Sequence, residues 1–172
     1  MSTIILLTAV LITALLLFWR YRRFAAQQLL RAVDVVTLPN FASTHLGNKR
    51  TLTVFLPPNY DNEPERRYPV LYLNDGQDMG QLKVHETVAH LCQQQHIQPL
   101  IVVAIPTNEN RLHEYGTAVT VNAQGLGSLA AAYNEFVTTE VMSAINAEFR
   151  TLTGAADTAV LGASLGGLSA FD

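Results

Sequence analysis

Ala159-Val160-Leu161-Gly162-Ala163-Ser164-Leu165-Gly166-Gly167-Leu168 is the stretch on which the reading of this chain turns. Ala156 to Leu161 reads as a strand with Asp157 and Thr158 at its start, and the residues after Ser164 read as a helix. Between them lies G-x-S-x-G, a strand-to-helix turn that lifts a serine hydroxyl clear of a sheet. The residues two before and two after the serine must lack side chains because strand and helix cross closely there. Ser164 is therefore the candidate nucleophile. The Leu165 amide, at the start of the helix, would face the negative charge that develops on a carbonyl oxygen under attack.

Working outward, the chain before this motif alternates strand and helix signals from about residue 33, which points to an α/β sheet. Strands are expected at 33–38, closed by Pro39-Asn40, and at 50–56, stopped by Pro57-Pro58. Short apolar runs at 68–73 and 100–105 suit strands covered on both faces. Gln81 to His96 is expected to be one helix with Asp78 as its N-cap. Leu129, Tyr133, Phe136, Val137, Val141, Ile145 and Phe149 recur at spacings of three and four, the signature of an amphipathic helix. Residues 106–127 show no helical period, and a connection of that length is usually functional or disordered. Arg111, His113 and Glu114 lie in it: Arg111 and His113 are candidate substrate-rim residues, while Arg111 and Glu114 could equally pair with each other in solvent.

These features resemble the esterase group of the α/β-hydrolases that includes esterase D, enterochelin esterases and mycolyltransferases. The resemblance spans about residues 45–172 and rests on Leu46-Gly47-Asn48-Lys49-Arg50 leading into TVFLPPNY, on YPVLYLNDGQD, EYGTA and AAYNEFVTTEVM, and on VLGASLGGLSAFD. It implies a mostly parallel sheet flanked by helices. It also implies hydrolysis of small-molecule carboxylic or thio-esters, or acyl transfer, through an acyl-Ser164 intermediate without metal or cofactor. Within Asn74-Asp75-Gly76-Gln77 it makes the Gln77 amide the second oxyanion donor. As a sequence feature alone, Asp75-Gly76 is also a plain turn.

In this fold the acid and the histidine of the triad follow the serine. Eight residues follow Ser164, and Asp172 falls on the helix that starts there. The expectation is therefore the N-terminal portion of such a hydrolase, ending just after the elbow and having little or no activity, since a serine without a base is a poor nucleophile. His85, His90 and His96 on the first helix and His113 in the long loop are poor substitutes, because other triad orders belong to other folds. The missing neighbour would also leave Ala159, Val160 and Leu161 as an exposed apolar edge. A non-catalytic binding module tethered to a membrane, or an acyltransferase, are the alternatives on the same half-fold.

At the other end, Ile4 to Trp19 is sixteen residues without a charge, followed by Arg20, Arg22 and Arg23. As a helix it spans roughly 24 Å, short of a hydrocarbon core of about 30 Å. Interfacial Trp19 and Tyr21 and snorkelling arginines extend its reach. Residues 1–3 carry no basic side chain and no small-x-small site stands near Ala25 and Ala26, which favours an uncleaved anchor over a signal peptide. The expected organisation is a single transmembrane anchor with a basic flank over 1–23, a helical extension or linker over 24–32 and a partial hydrolase domain over 33–172. Arginine on the C-terminal flank favours a cytoplasmic domain.

The rest of the composition excludes more than it suggests. The net charge is −3 and the eleven Lys and Arg are scattered, so nucleic acid is not an expected partner. Cys92 is the only cysteine and reads as a packing residue beside Leu91. His85 and His90 are five apart, about 140° around a helix, and cannot share a metal. Gly125-Leu126-Gly127 follows no strand and lacks a third glycine, so it reads as a loop end rather than a dinucleotide turn.

Overall fold

The computed structural model describes residues 2–30, 34–117 and 124–172, with side chains of the N-terminal helix described over 10–24. Five strands form one sheet in the order β1-β2-β4-β3-β5. They are β1 (Val35–Ala42), β2 (Lys49–Phe55), β3 (Val70–Asn74), β4 (Ile101–Ile105) and β5 (Thr158–Leu161). β3 lies between β4 and β5 and runs parallel to both, whereas the β1–β2 and β2–β4 pairs are antiparallel. The sheet is thus mixed rather than mostly parallel. Its first two strands are joined by a short loop that reverses the chain, while β3, β4 and β5 are joined by helical crossovers, the connection parallel strands require.

β1 is longer than its sequence suggests. It continues through Pro39-Asn40 to Ala42 by means of a register shift between Leu38 and Phe41, with Asn40 at φ 55°. An edge strand tolerates this, because a proline there removes no ladder bond. The beginning of the expected strand, Val33, lies outside the described residues.

All five residues of β4 are buried, and they alternate between two cores. Ile101, Val103 and Ile105 join Leu52, Val54 and Tyr72 beneath the helical stretch α5 (Ala130–Glu135), a π-helical segment (Phe136–Val141) and α6 (Met142–Glu148). Of the periodic residues, Tyr133, Phe136, Val137, Val141, Ile145 and Phe149 are buried there, as their spacing predicts, while Leu129, just before α5, is half-buried. The π-helical widening has a local cause. Thr138 and Thr139 bond back through their hydroxyls to the carbonyls of Asn134 and Glu135, at 2.7 and 2.6 Å, competing with the helix's own amides.

On the opposite face Val102, Ala104 and Leu73 pack with Met79, Val84 and Val88. Here the single helix expected over 81–96 is two, α2 (Met79–Leu82) and α3 (Val84–Gln93), broken where Lys83 takes φ 50°. Asp78 precedes α2 but makes no side-chain capping bond. Cys92 packs on this side with its Sγ 3.6 Å from the Gln98 carbonyl, and burial pushes its thiol pKa up.

The apolar N-terminal run does form a helix, α1 (Ser2–Leu30), extending through most of the expected linker. Among the described residues, however, no helix is long and apolar enough to cross a membrane, so a transmembrane anchor is not what the structure presents. The uncharged run is sixteen residues and is closed by three arginines within four positions.

Candidate active site

β3 is the strand at which the chain reverses its direction across the sheet: the crossover to β4 goes to one side and the crossover to β5 returns to the other. In open α/β sheets the crevice at the carboxyl ends of such strands is where ligands bind. Both candidate segments, the turn after β3 and the turn after β5, stand at that end.

After Leu161 the chain turns through Gly162 and Ala163 to Ser164, at φ 52° and ψ −124°, and enters α7 (Leu165–Phe171). This is a strained backbone for a side-chain-bearing residue, and such strain collects at functional sites. The turn is held by the amide of Gly166 on the Ala163 carbonyl at 2.9 Å and by those of Gly167 and Leu168 on the Ser164 carbonyl at 3.0 Å. A Cβ on Gly162 would stand 2.2 Å from the Gly166 carbonyl carbon and oxygen, which is the close crossing the motif implies. Ser164 is exposed, and its hydroxyl has no hydrogen-bond partner among the described residues. Leu165 opens α7, so its N–H has no carbonyl within the helix to bond.

The turn after β3 lies directly against this elbow. The Asn74 amide donates to the Gly166 carbonyl at 2.9 Å, and a Cβ on Gly166 would meet Asp75 Oδ2 at 2.8 Å. Asp75 takes a left-handed conformation, φ 57° and ψ 43°, and Gly76 follows so close to β4 that a Cβ would fall 2.7 Å from the Ala104–Ile105 peptide. Gln77 is the middle residue of the 3₁₀ turn Gly76–Asp78. Its side chain is tied down, receiving the Thr107 amide at 3.0 Å and donating to Asp75 at 3.1 Å.

Arg111 pairs with Asp75 and not with Glu114. Its guanidinium grips both carboxylate oxygens of Asp75 at 2.7 Å and lies over the Tyr115 ring at 5.1 Å. Burial pushes the Asp75 carboxyl up, but the bonds from Arg111, Gln77 and Thr107 outweigh it and hold the group below its ordinary value. Glu114 is fully buried and bonds Arg50 with both oxygens, at 2.8 and 3.1 Å, in a pocket where Asn48 and the Pro106 carbonyl also meet the guanidinium. His113 Nδ1 lies 3.2 Å from both the Gly125 carbonyl and the Ser128 hydroxyl, fastening the far side of the loop. Part of that loop is the short helix α4 (Arg111–Glu114), which its lack of period concealed; residues 118–123 lie outside those described.

Three residues of the site carry roles their sequence did not reveal. Tyr115, buried beneath the turn, accepts the Asp75 amide at 2.9 Å. Tyr133 donates to Asn74 at 2.7 Å, and the two rings meet edge-on at 5.1 Å. Asn74 joins them to α7. The only signals were the Asn-Asp-Gly run, which suits a left-handed turn, and the placing of Tyr133 on a buried helix face. Neither says which side chains meet. Among the described residues, none of the histidines bonds Ser164: His85 stacks on Phe55 at 5.5 Å, and Asp172 accepts from Asn134 at 2.9 Å.

Comparison with known proteins agrees with this geometry. A family model described as "Putative esterase" matches residues 43–171. An IroE-like serine hydrolase from Shewanella oneidensis superposes with a TM-score of 0.66 at 26% identity, over 79% of this chain and 44% of that one. A ferulic acid esterase does so at 0.60 and 26%, over 80% and 53%. The enterobactin esterase from Shigella flexneri, at 24% identity and a TM-score of 0.59 over 81% and 31%, shares the fold. The chain thus spans about half or less of the length of these relatives. No curated protein matches it. A strained strand-to-helix turn at Ser164, a glycine crossing that admits no Cβ and, above all, a family match over residues 43–171 make this chain a member of that esterase family of α/β-hydrolases.

Proposed function

We propose that the chain carries the nucleophilic half of a serine esterase, acting on carboxylic or thio-esters. The observation that carries this reading is the strained, exposed Ser164 packed through Gly166 against the Asp75 turn. Ser164 Oγ would bond the carbonyl carbon, with the oxyanion received by the amides of Leu165 and Gln77. The leaving oxygen or sulfur departs with the proton the serine gives up, and water then releases the acid. An alcohol in place of water would make the same site an acyltransferase. Since no base bonds Ser164 among the described residues, these residues on their own should turn over slowly or not at all. Hydrolysis of p-nitrophenyl acetate by the purified chain, beside Ser164→Ala, tests this. Turnover abolished in the variant supports acyl-serine chemistry; equal turnover in both assigns the activity elsewhere. Absence of turnover leaves the reading to a labelling test, in which an activated phosphonate should modify Ser164 slowly, for want of a base, yet faster than any other serine, because the turn holds its hydroxyl exposed.

The same proposal includes a bilayer as partner for α1, with the sheet domain on the cytoplasmic side. Its support is that every residue from Val10 to Phe24 is exposed, that ten of them, Val10–Trp19, carry no charge, and that an arginine collar follows.

A further inference from the structure

Beside the elbow, α4, Tyr115-Gly116, the Leu126-Gly127 turn and α7 enclose a cavity of about 250 Å³. Leu165, whose amide is the candidate oxyanion donor and which follows Ser164 in the chain, lines it, so the cavity adjoins the site. Its other large side chains are Leu112, Leu126, Leu168 and Tyr115.

What this loop does with its polar groups decides the chemistry of the cavity. Arg111 is turned onto Asp75, Glu114 is sunk onto Arg50, and His113 is held by Gly125 and Ser128; none of the three lines the space. The Tyr115 hydroxyl already accepts the Asp75 amide, and burial raises its pKa to about 12, so it stays neutral at physiological pH. Gly116 and Gly127 bring two backbones together: a Cβ on Gly116 would meet the Gly127 Cα at 3.0 Å. Among the described lining residues none carries a charge, and Thr117 is the one polar side chain besides Tyr115; a charged ligand entering here would lose water and find no opposite charge among them, a cost that an apolar group does not meet. The volume is also below the roughly 300–1,000 Å³ of pockets for drug-sized ligands, which suits one ring or a branched alkyl group rather than a long chain.

We propose that this cavity receives an uncharged, compact apolar arm of the ester presented to Ser164. The inference rests on the esterase reading for the bond that is presented, and on the cavity alone for the selectivity. Whether the arm belongs to the acyl or the alcohol part is settled by two isomers, methyl phenylacetate and benzyl acetate, which carry the same ring on opposite sides of the ester.

The test is a titration, followed by ligand NMR, of the full chain carrying Ser164→Ala with both isomers and with 4-carboxybenzyl acetate. One isomer should bind about tenfold more tightly than the carboxylated ring, since one unpaired charge in an apolar site costs about that factor. Leu168→Glu and Leu112→Glu, at half-exposed positions on α7 and α4, should each weaken that isomer about tenfold. Leu82→Glu, exposed on α2, should not. Absence of saturable binding, equal binding of the carboxylated ring, or unchanged binding in both cavity variants overturns the proposal. Hydrolysis by the Ser164 chain is scored apart: a chain that binds selectively yet neither hydrolyses nor is labelled upholds the cavity and removes the esterase reading.

Discussion

A methyl group added at Gly162 would occupy the same space as the Gly166 carbonyl, and neither backbone can retreat without moving Ser164. Gly162→Ala should therefore lower stability by about 1–3 kcal/mol or more, measured as a drop in Tm, and should abolish phosphonate labelling of Ser164. Gly80, where an added Cβ meets nothing within 4 Å, provides the control substitution. The Asp75–Arg111 pair makes a different kind of prediction. Because the folded carboxyl sits below its ordinary value, its contribution is present above the unfolded-state pKa and is lost as pH falls through the folded one. Acid unfolding curves of the wild type should fall in that window below about pH 4. Asp75→Asn should show a shallower fall there and lower stability at neutral pH. Arg111→Leu, which leaves Asp75 with only the neutral donors Gln77 and Thr107, should cost about 1–3 kcal/mol at pH 7. A substrate-rim role for Arg111 would instead leave stability untouched.

At the scale of elements, β5 is one of the two edges of the sheet, β1 being the other. It pairs with β3 on one side, and among the described residues nothing pairs with its other side. Four residues, Thr-Ala-Val-Leu, offer no charge or proline to discourage a second chain, and Leu161 is about half exposed. Ala159→Lys should reduce concentration-dependent light scattering without lowering Tm, because Ala159 is already exposed and a lysine on an edge repels further strands. If scattering persists unchanged, the association surface lies elsewhere, with α1 the next to test. The two-helix form of residues 79–93 and the π-helical segment of 136–141 are element-scale features of another sort. Both deviate from a straight helix while keeping their buried residues on one face, so the core is the same and only the surface geometry differs.

For the molecule as a whole, the N-terminal 33 residues contain no acidic side chain and four arginines. Arg22 and Arg23 lie over the rings of Phe18 and Trp19, at 6.0 and 3.8 Å, which keeps charge and aromatic group at the same level along α1. Against vesicles containing phosphatidylglycerol, the chain should float with the lipid. Replacing Arg20, Arg22 and Arg23 by glutamine should weaken this by about 3 kcal/mol in all, at roughly 1 kcal/mol per charge near an anionic surface. Recovery of the chain only at the bottom of the gradient would dismiss the bilayer as partner.

Much of this was legible before any coordinates. Periodicity placed all five strands and the buried face of residues 129–149, because apolar burial repeats with the geometry of each element. G-x-S-x-G located Ser164 because only glycine permits that crossing, a constraint that lies within a few residues of the chain. What sequence could not decide is every pairing across distance. Arg111 sits three residues from Glu114 and yet binds Asp75, while Glu114 binds Arg50; nothing local selects those partners. The antiparallel half of the sheet likewise arises only when β1, β2 and β4 pair, and the Tyr115–Asp75–Asn74–Tyr133 linkage and the apolar cavity beside Leu165 only when β3, α4, α5 and α7 are brought together. Local sterics and burial pattern are written along the chain, whereas the partner of a buried charge is set by which groups the fold leaves within reach of it.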